Sequence, residues 1–178
     1  MSYREIVVKL GEATVEKVLA VFGQYQSGVL GMDAAVSVIA TIVAKANARA
    51  VSLADMSLAS TLMVQLRTPV VVTGASVPVT DPDRLAKGAR TLLSLAEVTE
   101  DRIARYARSE PLEAASRAYS AAISKSPLVD GWTRGVRADG CQLCQWWSRD
   151  GRVWPKDHTM PTHKGCTCHQ VPVTKGNQ

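Results

Sequence analysis

The chain is expected to be mainly α: an elongated helical body followed by a small, loop-rich C-terminal module with a short hairpin and a cysteine/histidine staple. Three observations carry that expectation. Apolar side chains recur at spacings of three and four over most of residues 3–127. Gly and Pro collect in a few breaks rather than throughout. All four cysteines and all three histidines lie between Cys141 and His169, and the first 140 residues have neither.

The first helix is read over residues 3–22, where Ile6, Val7, Leu10, Val15, Val18, Leu19 and Phe22 form one stripe. "GQYQSGVLG" breaks it with three glycines, and Asp33 is placed to cap the next helix. Residues 34–66 contain no Gly or Pro. Val36, Ile39, Val43 and Ala46 mark one face, and Leu58, Leu62 and Leu66 another. Two readings stand: one helix about 50 Å long at 1.5 Å per residue, or a break near "VSLADMS" with Ser52 or Asp55 capping a second helix. "RTPVVVTGASVPVTDPDR" interrupts with three prolines and a glycine, so residues near 67–82 form a strand or a linker. Helix resumes with Asp81 as N-cap and Pro82 at the first helical position, along Leu85, Ala89, Leu92, Leu93 and Ala96. Thr99 opens another helix, with Glu100 and Asp101 suited to the positive end of its dipole, running through Ile103, Ala104 and Ala107. Pro111 starts a last helix to about Ser124. From Pro127 the composition turns to Gly, Trp, Cys, His and Pro. This divides the chain into a helical body, 1–127, and a C-terminal module, 128–178.

The 178 residues include a single Phe, and Ala, Val and Leu dominate the apolar set. Such small side chains suit close helix packing. Net charge is +5 and the pI about 9.2, with seven Lys/Arg against four Asp in 130–178. This excess permits contact with phosphates without requiring it, because binding needs a clustered patch. "MSYREIVVKL" lacks the apolar stretch of a secretory signal, and no run reaches bilayer length; the longest, "PVVVTGASVPV", is short. The expectation is a soluble protein without a membrane, made in a reducing cytoplasm, where clustered cysteines more often mean metal than disulfide.

Cys141 and Cys144 form C-x-x-C, and His163-x-x-Cys166 comes later in the chain, with Cys168 two residues on. Two bidentate clips are how tetrahedral zinc is held. Five donors compete for four positions. Cys141, Cys144, His163 and Cys166 are the preferred set, with Cys168 as substitute for His163. A pair of disulfides is the next reading, and a redox C-x-x-C the last. A redox motif usually sits at a helix N-terminus after a strand, whereas "VRADG" and "QWWSRDG" read as turns and a hairpin. With donors in excess and no neighbouring Glu, the zinc would be structural. His158 and His169 are expected to face solvent. Asp150-Gly151 signals a hairpin turn, and Trp146, Trp147 and Trp154 beside it are expected to form the module's own small core. The competing reading stacks nucleotides on those rings with Arg149 and Arg152; Lys156 and Lys164 would extend such a nucleic-acid-binding face.

The stretch "DGCQLCQWWSRDGRVWPKDHTMPTHKGCTCHQVPV" resembles the C-terminal signature of the MuF-like minor capsid proteins of tailed bacteriophages. The matching features are Cys141/Cys144, Asp150-Gly151-Arg152-Val153, Pro161-Thr162-His163, Cys166-Thr167-Cys168 and Val171-Pro172-Val173. They span roughly the last 45 residues. The family often has His-Pro-Asn-Cys-Arg-Cys where this chain has His163-Lys164-Gly165-Cys166-Thr167-Cys168. The resemblance implies a virion protein rather than an enzyme. Such a protein sits in the capsid interior after assembly in the host cytoplasm, and assists head assembly and DNA packaging or ejection. Its partners would be the portal protein, the major capsid protein or both, with packaged DNA as a further contact and several copies in a symmetric assembly. The alternatives are a zinc-ribbon-like nucleic-acid-binding protein, a capsid maturation protease, or a thiol oxidoreductase.

Overall fold

The computed structural model describes residues 1–79, 81–138 and 140–175. Its elements are α1 (Tyr3–Gln26), α2 (Met32–Leu66), α3 (Asp81–Leu93), α4 (Glu100–Lys125), β1 (Val129–Gly135), α5 (Gln142–Ser148), a 3₁₀ turn (Arg149–Gly151), β2 (Trp154–Pro155) and β3 (His169–Thr174). Of the described residues 62% are helical, so the protein is mainly α as expected, with a small loop-rich C-terminal region.

Local chemistry sets most helix ends. Ser2 and Glu5 form a reciprocal capping box at the start of α1. The helix outruns its expected end and continues through Gly23 to Gln26; the chain turns only where Gly28 takes φ +75°. Gly31, not Asp33, is the N-cap of α2. Asp33 instead pairs with Arg90 at 2.6 Å. α2 is one unbroken helix of 35 residues. Ser52 does not cap a new helix, because its hydroxyl donates back to the Ala48 carbonyl at 3.2 Å. Asp55 does not either: its carboxylate leaves the helix and accepts from Thr73 N and Oγ1, Gly74 N and Ala75 N, all within 3.0 Å. One buried aspartate thus ties the extended segment after Arg67 to the middle of α2, and residues 67–79 pair with no strand. Asp81 lies inside α3 rather than capping it, its carboxylate held by Asn47 and Arg84; Thr80, before it, is outside the described residues.

The two helices expected on either side of Pro111 are one helix, α4, with Thr99 as N-cap. Proline removes one backbone hydrogen bond from the interior of a helix. The continuation is held by the residues flanking it. Glu110 is clamped by Arg84 at 2.6 and 3.0 Å, and Leu112, Ala114 and Ala115 are buried against the neighbouring helices.

α2 lies at the centre, packed on α1, α3 and α4. By length and composition it is long and apolar enough to cross a membrane, contrary to the reading of uninterrupted apolar runs; half of its most apolar window is buried inside the protein. Its apolarity comes from many alanines and valines between isolated polar residues, two of which, Asn47 and Asp55, are buried. One core cluster joins Val18, Phe22, Ile39, Val43, Leu85 and Ile103. A second joins Leu58, Leu62, Tyr119 and Ile123 of the helices to Val129, Trp132 and Met160 of the C-terminal region.

The sheet is antiparallel in the order β2-β1-β3, with Trp132 opposite Trp154 and Pro172. The hairpin expected at Asp150-Gly151 is not formed. Cys141 caps α5, and Arg149, Asp150 and Gly151 at φ 48°, 53° and 83° end it in consecutive left-handed residues. The turn signal was real, but it stops a helix rather than joining two strands. The three tryptophans expected in a local core are also redistributed. Trp146 is 64% exposed, Trp147 and Trp154 are half-buried, and the fully buried indole is Trp132, which enters the core shared with the helices.

Candidate metal centre

Two local structures bring the donors together. Cys141 is the N-cap of α5 and Cys144 lies in its first turn, so both thiols face the same end of a short helix. His163 to Cys166 is a tight turn closed by Cys166 N to the His163 carbonyl at 2.9 Å, with Gly165 at φ +76°. The left-handed position is one that glycine adopts without steric penalty. Cys168 lies just before β3.

The five expected donors converge. Cys141, Cys144 and His163 form one triad and Cys144, Cys166 and Cys168 another, each with donor atoms within 4.8 Å of one another. Cys144 belongs to both. His163 Nε2 lies 3.3 Å from Cys141 Sγ and 3.2 Å from Cys144 Sγ, and Cys144 and Cys166 Sγ are 3.7 Å apart. With zinc–sulfur bonds of about 2.3 Å, the edge of a tetrahedron of thiolates is about 3.8 Å, which the last spacing matches. His163 Nδ1 is 3.1 Å from the Lys164 carbonyl. A proton on Nδ1 donates there and leaves Nε2 as the coordinating atom, the arrangement that orients metal-bound imidazoles. All four cysteines are free thiols. The residues therefore fit a metal ion, in donor type and in spacing.

Electrostatics divide the thiols. Cys166 is lowered to about 4, chiefly by a hydrogen bond from the Cys168 thiol, and Cys141 is lowered by the Cys144 backbone N–H. Burial pushes Cys144 up to about 11, and Cys168 is raised as the donor to Cys166. Burial opposes the charge on His163, but the Lys164 carbonyl and the Cys166 and Cys141 thiolates raise it overall. Cys166 is thus the readiest thiolate of the cluster, and an ion would displace protons from the raised thiols.

The site is anchored to the helical body. Arg4 Nη2 donates to Thr167 Oγ1 at 3.3 Å, Gln65 Nε2 to the Pro172 carbonyl at 3.2 Å, and Ser120 Oγ to Gln170 Oε1 at 2.7 Å. Arg134 of β1 is buried, donates to the Pro161 carbonyl, stacks on Trp147 and reaches Cys168. Its Nε and Nη1 have no hydrogen-bond partner among the described residues. The sequence contains no signal for this role, because an arginine in a strand ordinarily reads as solvent-facing.

The other expected residues are dispersed. Arg149 is exposed, and Arg152 lies over the Trp154 ring at 4.5 Å. Lys156 donates to the Ser126 carbonyl at 3.0 Å, and Lys164 pairs with Glu113 at 2.7 Å. His158 is exposed as expected but stacks on Trp154 at 4.5 Å; His169 is half-buried, which lowers its pKa, and does not face solvent freely. The flanks of Cys141 also differ from expectation. The C-x-x-C sits at a helix N-terminus after strand β1, the setting associated with redox pairs, but with three further donors within reach. No protein-family model, no curated protein and no solved structure matches this chain.

Proposed function

We propose that this protein is a minor capsid component of a tailed bacteriophage, whose C-terminal region is held by a structural zinc ion. The observation that carries the metal is the clustering of Cys141, Cys144, His163, Cys166 and Cys168 into two triads that share Cys144. The capsid role is supported by the resemblance of the Cys141–Val173 stretch to the MuF-like signature. In this reading the ion takes Cys144 with three of the other four donors. It contributes charge neutralisation and cross-linking rather than catalysis, since no carboxylate lies among the donors found in the described residues. The helical body docks on the portal or capsid wall in several copies, within reach of packaged DNA.

Two measurements test the two halves. Zinc content of the purified chain should be one ion per molecule. Cys144→Ser, which removes the donor common to both triads, should abolish retention, while Cys141→Ser or Cys168→Ser should weaken affinity without abolishing it. Equal effects of all three would refute the shared-donor centre. Peptide mass spectrometry of purified virions should find the chain at low copy in DNA-filled heads. Its absence from particles refutes the capsid role while leaving the metal centre intact.

A further inference from the structure

Within the helical body, α3 packs on α2. Between α3 and α4 lies an open cleft of 510 Å³. Its cations come from three segments: Arg84 and Lys87 of α3, Arg102 and Arg105 of α4, and Lys164 at one end. Arg84 is committed to Asp81 and Glu110, and Lys164 to Glu113. Lys87 and Arg105 have no ion pair among the described residues, and Arg102 reaches only the Glu97 carbonyl, at 3.5 Å.

Exposed cations on helices are ordinarily a solvated face. These rim a concavity whose floor is apolar, made by the Tyr106 ring and Leu92. Tyr106 is fixed in place, its hydroxyl donating to the Leu85 carbonyl at 2.9 Å. Gly88 keeps the ring accessible, because a Cβ there would meet the Tyr106 ring at 3.2 Å. The lining of α4 from Arg102 to Glu110 covers about 12 Å at 1.5 Å per residue. Cations at the rim and a ring face below are what an unpaired strand offers to meet: phosphates outside, base faces inward. Duplex DNA keeps its base faces stacked and presents only their edges.

We propose that this cleft binds single-stranded nucleic acid, with Lys87, Arg102 and Arg105 on phosphates and a base against Tyr106 and Leu92. The proposal depends neither on the metal nor on the capsid role.

The test is fluorescence anisotropy of a labelled oligo-dT with the full chain. It compares the wild type, Lys87→Gln/Arg105→Gln, and a control, Arg149→Gln/Arg152→Gln; an abasic oligomer of equal charge serves as second ligand. The expected result is at least a tenfold loss in the cleft variant, with an unchanged melting curve. The slope of log K against log salt should fall by about 0.7 per cation removed. The control should bind as the wild type does, and the abasic oligomer at least threefold more weakly than oligo-dT. The proposal is overturned if the wild type does not bind oligo-dT or the cleft variant binds like the wild type. Loss in the control alone, or equal binding of the abasic oligomer, overturns it as well.

Discussion

Arg134 is a cation taken out of water with no carboxylate paired to it among the described residues. An unpaired buried charge costs several kcal/mol, and the groups beside Arg134 are an indole face, a carbonyl and the Cys168 thiol. In the proposed centre, three or four thiolates around a divalent ion would carry net negative charge, and the guanidinium would be its counter-charge. Arg134→Met should therefore lower zinc affinity roughly tenfold to a hundredfold in chelator competition, and Arg134→Lys should recover part of it. Asp55 is the opposite case, a buried anion fully met by donors. Burial alone would raise its pKa, but the Thr73, Gly74 and Ala75 donors outweigh it and hold the carboxyl below its ordinary value. Its stabilisation is complete above about pH 4 and is lost as pH falls through the lowered value. Asp55→Asn should cost about 2–4 kcal/mol in urea denaturation at neutral pH, and should remove this share of the acid limb. Neither role is visible in the sequence. The residue types are, but the partners of Asp55 lie 18 to 20 positions away, and those of Arg134 on α5 and on separate loops.

At the scale of elements, periodicity found every long helix, and composition found the change near Pro127. What periodicity could not decide was continuity. Ser52 and Asp55 carry cap chemistry inside α2, and Pro111 carries start chemistry inside α4. In each case tertiary packing overrides the local signal, because both halves of the helix bury residues in adjoining clusters. The sheet shows a tighter constraint. A Cβ at Gly131 would lie 2.5 Å from the Trp154 carbonyl oxygen and 2.8 Å from Val153 Cγ1. Gly131→Ala should separate β1 from β2 and destabilise the protein by about 1–3 kcal/mol. Thermal denaturation measures the cost, and amide exchange at Trp154 should rise if the separation is local.

For the whole molecule, the C-terminal region is not energetically separate from the helices, because Trp132, Val129 and Met160 are buried with Leu58 and Tyr119. Chelation should therefore loosen the loops between β1 and β3 while leaving the helices folded. The expected outcome is a lower melting temperature with unchanged far-UV helicity below the transition, and an altered near-UV signal from Trp147, whose ring lies 6.2 Å from His163. The stability lost should be about 4 kcal/mol when free zinc is a thousand times its dissociation constant. Affinity should fall with acid as thiolates and His163 take up protons. A melting curve indifferent to chelator would remove zinc from the account of stability.

By itself the sequence determined the mainly α class, the helix-forming segments and the five donor residues. These depend on local spacing: 3.6-residue periodicity for the helices, and short clips in which two donors share one turn. Only the tertiary structure decided which breaks are real, which tryptophan is the core, and that the two clips meet across some twenty residues with Cys144 common to both triads. It also placed Arg134 beside the thiols and opened the cation-rimmed cleft between α3 and α4. Those outcomes depend on contacts between distant segments, where burial and charge pairing outweigh the preferences that a local stretch of chain expresses.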